Sequence, residues 1–149
     1  MKNGEPLQTF SMKLGAVGLT EKFLFSNPPK KKEFENLQVE IVAALQQPLR
    51  KTKNAAWQFS TGTSGTILNL AELLNFQIAG NATAKPEIQL KKLIALNKMM
   101  AGLPLEERAK LPVISPQRAE VIVAGGLILE GVMRAFRYSN VAAVRLRFA

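Results

Sequence analysis

The stretch from Ser115 to Met133 limits the possible folds more than any other. Ser115-Pro116 is a strong helix start, with a serine placed to cap and a proline at the first helical position. Behind it come Ala119, Val121, Ile122, Val123, Leu127, Ile128, Leu129, Val132 and Met133. These run round most of the helix circumference, so the helix must be covered on more than one side. Gly125-Gly126 falls in its middle. Each glycine costs about 1 kcal/mol relative to alanine there. Either the backbone meets a neighbour closely at that point, or the helix starts afresh.

A second unit lies at Trp57-Gln58-Phe59-Ser60-Thr61-Gly62-Thr63-Ser64-Gly65-Thr66. It reads as a strand over Ala55 to Phe59 that enters a glycine-containing turn, with Trp57 and Phe59 as core residues. A helix follows to about Phe76, its stripe formed by Ile67, Leu68, Leu70, Ala71, Leu73 and Leu74. The first amides of that helix have no partner within it and point back at the turn. Such a turn can hold a phosphate, or Thr63 or Ser64 can cap the helix with nothing bound. Both readings stand at this level.

The other elements follow from the same periodicities. Leu7 to Leu14 alternates imperfectly and reads as a strand, with a turn at Gly15 and a brief second strand through Val17. Leu19 to Phe25 reads as one or two helical turns capped by Thr20, broken by Asn27-Pro28-Pro29. Phe34, Leu37, Ile41 and Leu45 mark a helix from Lys31 to Gln46 that Gln47-Pro48 closes. Lys30-Lys31-Lys32 stands at its start, where the helix dipole does not favour cations. It serves either an anion or a solvated cluster with Glu33 and Glu35. After a link at residues 79–83, Pro86 opens a helix from Glu87 to Met100 that ends at Gly102. A short helix spans Leu103 to Leu111, and Val141 to Ala149 makes a final strand. The count gives an α/β fold: a small sheet of two or three strands with one helical layer.

Composition limits the chemistry. The 149 residues amount to one ordinary domain. Cysteine and histidine are both absent, which removes thiol chemistry, the commonest metal ligand and the usual general base. Acid–base work falls to the eleven acidic groups or to a partner. A net charge of +9 suits an anionic partner. No segment reaches membrane-spanning length and no signal peptide is visible, so the expected compartment is the cytoplasm.

Three spaced motifs carry a resemblance. Ser11 to Glu21 (SMKLGAVGLTE), Gly62 to Ile67 (GTSGTI) and Ser115 to Met133 (SPQRAEVIVAGGLILEGVM) are together similar to the exopolyphosphatase and guanosine pentaphosphate phosphatase family. The resemblance covers residues from about 5 to 138. It implies part of an actin-like ATPase (ribonuclease-H-like) domain with a small mixed sheet and several helices. Residues 1–149 would be a single, incomplete second domain of that kind, with 137–149 an atypical or truncated terminus. The implied activity is magnesium-dependent release of terminal phosphate from polyphosphate or guanosine pentaphosphate.

On this resemblance Gly62, Thr63, Ser64, Gly65 and Thr66 line the phosphate cleft. Arg118 and Glu120 match the R-A-(D/E) pattern: Arg118 either meets an anion with its fork or pairs with Glu120 or Glu130 or is simply exposed, and Glu120 is a candidate for positioning magnesium or water; Gly125 matches a family glycine, and Lys13 stands on the approach. The family's phosphate loops and catalytic glutamate have no counterpart here, so no catalytic or metal residue is assigned, and the magnesium ligands are expected outside the chain. Gly18 stands where the family carries arginine. The chain is therefore expected to be inactive alone and to self-associate or meet a complementing half. The alternative is a non-catalytic basic module for polyphosphate or nucleic acid, although no nucleic-acid motif supports the second ligand.

Overall fold

The computed structural model describes residues 3–79 and 87–146. In chain order the elements are α1 (Ala16–Phe23), α2 (Lys31–Lys51), β1 (Thr61–Gly62), α3 (Gly65–Ala79), β2 (Glu87–Gln89), α4 (Leu90–Ala101), α5 (Leu105–Arg108), α6 (Pro116–Ala135) and β3 (Asn140–Ala143). The sheet is mixed, in the order β1-β3-β2. β3 runs parallel to β1, with Thr61 opposite Ala142, and antiparallel to β2, with Ile88 opposite Val141.

Helix α6 is the centre of the molecule, as its apolar circumference requires. Ala119, Ile122, Val123, Leu129 and Met133 join α3, α4 and the sheet residues Ile88, Val141 and Ala143 in one buried cluster. Ala124 and Leu127 join Leu19 of α1 and Leu37, Ile41 and Leu45 of α2 in another. Helices therefore flank α6 on both sides, and the single helical layer expected from the sequence becomes two. Each fully buried leucine or isoleucine in these clusters contributes about 1.5–3 kcal/mol.

The glycines of α6 explain how so many neighbours fit. A Cβ added at Gly125 would lie 2.4 Å from Thr66 Cγ2, one at Gly126 2.1 Å from Asn97 Oδ1, and one at Gly131 2.4 Å from Ile41 Cγ2. Each glycine admits a different helix: α3, α4 and α2. The helix does not restart at Gly125-Gly126; close approach is the correct alternative.

Several sequence readings are corrected. Residues 7–14 form no strand and Val17 lies in α1, because an extended segment with no strand beside it leaves its backbone groups to water. Thr20 does not cap α1 but sits within it, its hydroxyl donating to Ala16 O at 2.7 Å. Pro48 does not end α2, which continues to Lys51; Thr52 N then closes on Pro48 O at 3.0 Å.

Residues 55–59 are irregular, and the strand is Thr61–Gly62. Its place is fixed by β3 and the residue after it: Ala142 N and Val144 N donate to Ser60 O and Gly62 O at 3.0 and 2.8 Å. Trp57 and Phe59 are not core: they are 49% and 79% exposed. Residues 87–89, read as helix, pair as β2 because Ile88 is needed on the covered face of the sheet. The short helix is α5 alone, and β3 stops at Ala143. Residues 80–86, with Pro86 and most of the link before it, and residues 147–149 lie outside the described residues.

Candidate functional site

β1 delivers the chain into a turn at Thr63 and Ser64, both exposed, from which α3 starts. Gly62 is buried in the strand, and a Cβ there would lie 2.7 Å from Ile67 Cδ1, so only glycine lets the first turn of α3 fold down on β1. Ser64 takes the capping role: its Oγ accepts from Ile67 N at 3.1 Å. That satisfies one orphan amide of the helix. The amides of Gly65 and Thr66 have no acceptor within α3, and no other acceptor reaches them among the described residues.

α6 starts beside this turn. Ser115 Oγ accepts from Arg118 N at 3.2 Å, which sets the first turn and aims the Arg118 side chain at α3. Arg118 Nη1 donates to Thr66 Oγ1 at 3.0 Å across a sequence gap of 52 residues. A Cβ at Gly65 would lie 2.7 Å from Arg118 Nη2, so the guanidinium rests directly over the glycine. Thr66 is held from below as well, its methyl group filling the space that Gly125 leaves.

Two helix N-termini and a guanidinium thus meet at one place. The first turns of α3 and α6 contain no acidic residue, and Arg118 has no carboxylate partner among the described residues. Positive helix ends and a cation side by side repel unless an anion comes between them. A groove of about 410 Å³ opens at this point, lined by Gly62, Ser64, Thr66 and Gly125 and floored by Ile67 and Ile128. Gly65 and Arg118 do not line the groove themselves but adjoin it through Thr66; together the two backbone amides, the threonine and serine hydroxyls and the guanidinium are the kinds of group that hold phosphoryl oxygens.

Of the sequence candidates, Thr63, Ser64, Gly65, Thr66, Arg118 and Gly125 come together, with Gly62 as the packed base of the turn. Glu120 does not join them. It lies near the start of α6 but lines a different cavity, with Thr20, Ser26, Asn27 and Arg108. Lys13 is exposed in the irregular segment before α1, and only its neighbour Leu14 lines the groove. Lys31 pairs with Glu35 at 3.8 Å, in line with the solvated reading of the lysine run.

No acidic side chain lines the groove, and the described residues hold no group of three or more His, Cys, Asp or Glu. All eleven acidic residues of the chain are glutamates. This donor set does not fit a magnesium site, whose ligands are carboxylates, and no step through the metal is derived from it.

Sequence reasoning did not place two charged groups in the interior. Glu130 is buried in α6, accepting from Asn97 Nδ2 at 2.8 Å and paired with Arg134 Nε at 3.0 Å. Arg108 is buried at the end of α5. The i,i+4 spacing of Glu130 and Arg134 was a local signal for the first; nothing in the sequence near Arg108 marks the second.

Residues 1–145 match the model of the Ppx/GppA phosphatase family. Exopolyphosphatase 1 of Mycobacterium bovis is 32% identical over 139 residues, covering 88% of this chain and 39% of the relative. Exopolyphosphatase 2 of Mycobacterium tuberculosis is 28% identical over 138 residues, covering 89% and 42%. Among solved structures, an exopolyphosphatase from Cytophaga hutchinsonii has a TM-score of 0.80 at 19% identity over 95% of this chain and 47% of its own. The Aquifex aeolicus PPX-GPPA enzyme has a TM-score of 0.78 at 22% identity, covering 93% and 46%. The structural likeness shows a shared α/β fold. The chain spans less than half the length of the relatives it matches.

Proposed function

The chain belongs to the Ppx/GppA phosphatase family, and from that premise we propose that it forms one wall of a phosphate cleft in a phosphoanhydride hydrolase of the actin-like, ribonuclease-H-like group. The ligand is the anionic end of polyphosphate or guanosine pentaphosphate, and the compartment is the cytoplasm. One observation carries the reading: Arg118 donates to Thr66 Oγ1 at 3.0 Å and packs on Gly65, the two residues whose amides have no acceptor, and it pairs with no carboxylate among the described residues.

The chain's own contribution is binding and orientation. Gly65 N, Thr66 N and the Thr63 hydroxyl donate to phosphoryl oxygens, and Arg118 meets the same charge with a planar fork. These groups stabilise charge that builds up as a phosphoanhydride bond breaks. They cannot take a proton from an attacking water. No carboxylate lines the groove, so the base belongs to polypeptide beyond these residues. Magnesium belongs to the same proposal, with ligands outside the described residues. A complementing segment or second copy pairing along the outer edge of β1 would close the groove.

The test is calorimetric titration with tripolyphosphate at low salt. The chain is expected to bind, with affinity that falls as salt rises. Arg118→Met is expected to weaken binding tenfold or more, since a hydrogen bond to a charged group contributes about 1.5–3 kcal/mol. Phosphate release from long-chain polyphosphate is expected to stay at the buffer blank. Unchanged affinity in Arg118→Met would remove the assigned cleft, and turnover above the blank would contradict a purely binding role.

A further inference from the structure

The second cavity near the start of α6 points to a separate ligand. It has a volume of about 250 Å³ and is lined by Arg108, Ser26, Asn27, Leu105, Phe25 and Glu120. Arg108 is 6% exposed, and its Nε and Nη1 are buried with no hydrogen-bond partner. No ion pair forms on it among the described residues. Burial pushes the guanidinium pKa below its ordinary value, and the charge of Glu106 acts the other way. Arginine does not give up its proton in proteins, so an acceptor is the compensation open to it.

The neighbouring acceptors are already committed. Asn27 Oδ1 takes Leu105 N at 2.6 Å. Both Glu106 oxygens receive Asn27 Nδ2, at 3.4 and 3.3 Å. Glu33 takes the amides of Phe25, Ser26 and Lys30 at 2.7, 2.9 and 2.6 Å. Glu120 lines the cavity but is exposed and does not reach Arg108. We propose that this cavity is a binding site for a small tetrahedral oxyanion of the inorganic phosphate type, held by Arg108. The guanidinium turns toward the cavity to present its unpaired Nε and Nη1 donors, and the anion takes the place that Glu120 leaves open. The site is distinct from the Thr66–Arg118 groove and does not depend on the reading of that groove.

The experiment is thermal unfolding of the full chain in excess inorganic phosphate against chloride at matched ionic strength. Phosphate is expected to raise the melting midpoint by about 5 °C or more, as ligand binding to the folded state does. Arg108→Met is expected to abolish that shift and to melt no lower than the parent in chloride, because it removes an uncompensated buried charge. Arg118→Met is expected to keep the shift. Glu120→Gln, an exposed change that leaves the core intact, is expected to enlarge it by removing a competing carboxylate. No phosphate shift in the parent or in Glu120→Gln would overturn the proposal. So would a shift lost in Arg118→Met and kept in Arg108→Met. Loss of stability in chloride on Glu120→Gln would show that Glu120 itself pairs with Arg108.

Discussion

Gly126→Ala tests whether the centre of the fold has been read correctly. On helix propensity alone the change should stabilise α6 by about 1 kcal/mol. The structure predicts the opposite sign. The added Cβ would lie 2.1 Å from Asn97 Oδ1 and 3.0 Å from Asn97 Cγ, both inside contact distance. Asn97 is fully buried and cannot swing into solvent. It also donates to Glu130 Oε2 at 2.8 Å, so displacing it strips a neutralising donor from a buried carboxylate, leaving Arg134 as its partner. Overpacking costs about 1–3 kcal/mol, and losing a hydrogen bond to a charged group costs about 1.5–3 kcal/mol. Set against the propensity gain, the net loss is about 1.5–5 kcal/mol. Urea unfolding followed by far-ultraviolet circular dichroism measures it, with Asn97→Ala and the double variant completing a cycle. The two changes should be strongly non-additive, since the smaller residue at 97 makes room for the methyl group. A Gly126→Ala chain as stable as the parent would refute the packing of α4 on α6.

Two further outcomes follow from the local hydrogen bonding and packing. The Glu33 carboxyl is held below its ordinary value of 4.5, chiefly by the Lys30 amide; burial opposes this, and the weaker effects of the Phe25 amide and of the Ser26 hydroxyl and amide add to the lowering. A depressed folded value means that its stabilisation is complete above 4.5 and is lost as pH falls through that lower value. Glu33→Gln should therefore flatten the acid side of the melting-temperature profile, and an unchanged profile would count against those hydrogen bonds. Gly65→Ala should displace the Arg118 guanidinium, 2.7 Å from the new Cβ, and weaken tripolyphosphate binding severalfold with little change in melting temperature; equal binding would show that Arg118 does not act from that position.

The parts of the fold that local chemistry sets were legible in the sequence. Ser115-Pro116 starts α6 as read, because the serine hydroxyl caps an amide three residues on. The stripe Leu37, Ile41 and Leu45 is the buried face of α2. Elements set by distant partners were not legible. β1 has two residues and exists through the amides of β3, some eighty positions later, so no pattern at residues 55–59 could have located it. Pro48 looked like a stop because its ring removes one helical hydrogen bond, yet the packing of Leu45 and Pro48 carries α2 onward. Within the candidate site, the residue types were visible at Gly62 to Thr66 and at Arg118. Their meeting was not, since it depends on Gly125 letting α3 close on α6. Arg108 gave no warning at all: a short helix with two glutamates and an arginine reads as surface.

The central claim is that the Gly65 and Thr66 amides, with Arg118, form an anion-receiving site beside the groove. Amide-resolved nuclear magnetic resonance during a tripolyphosphate titration tests it most directly. The account predicts that the Gly65 and Thr66 amide resonances, together with the Arg118 side-chain Nε–H, move first and furthest, and that in Arg118→Met the two amide resonances move far less at the same ligand concentration. Shifts confined to the exposed lysines, with those three signals unmoved, would contradict it.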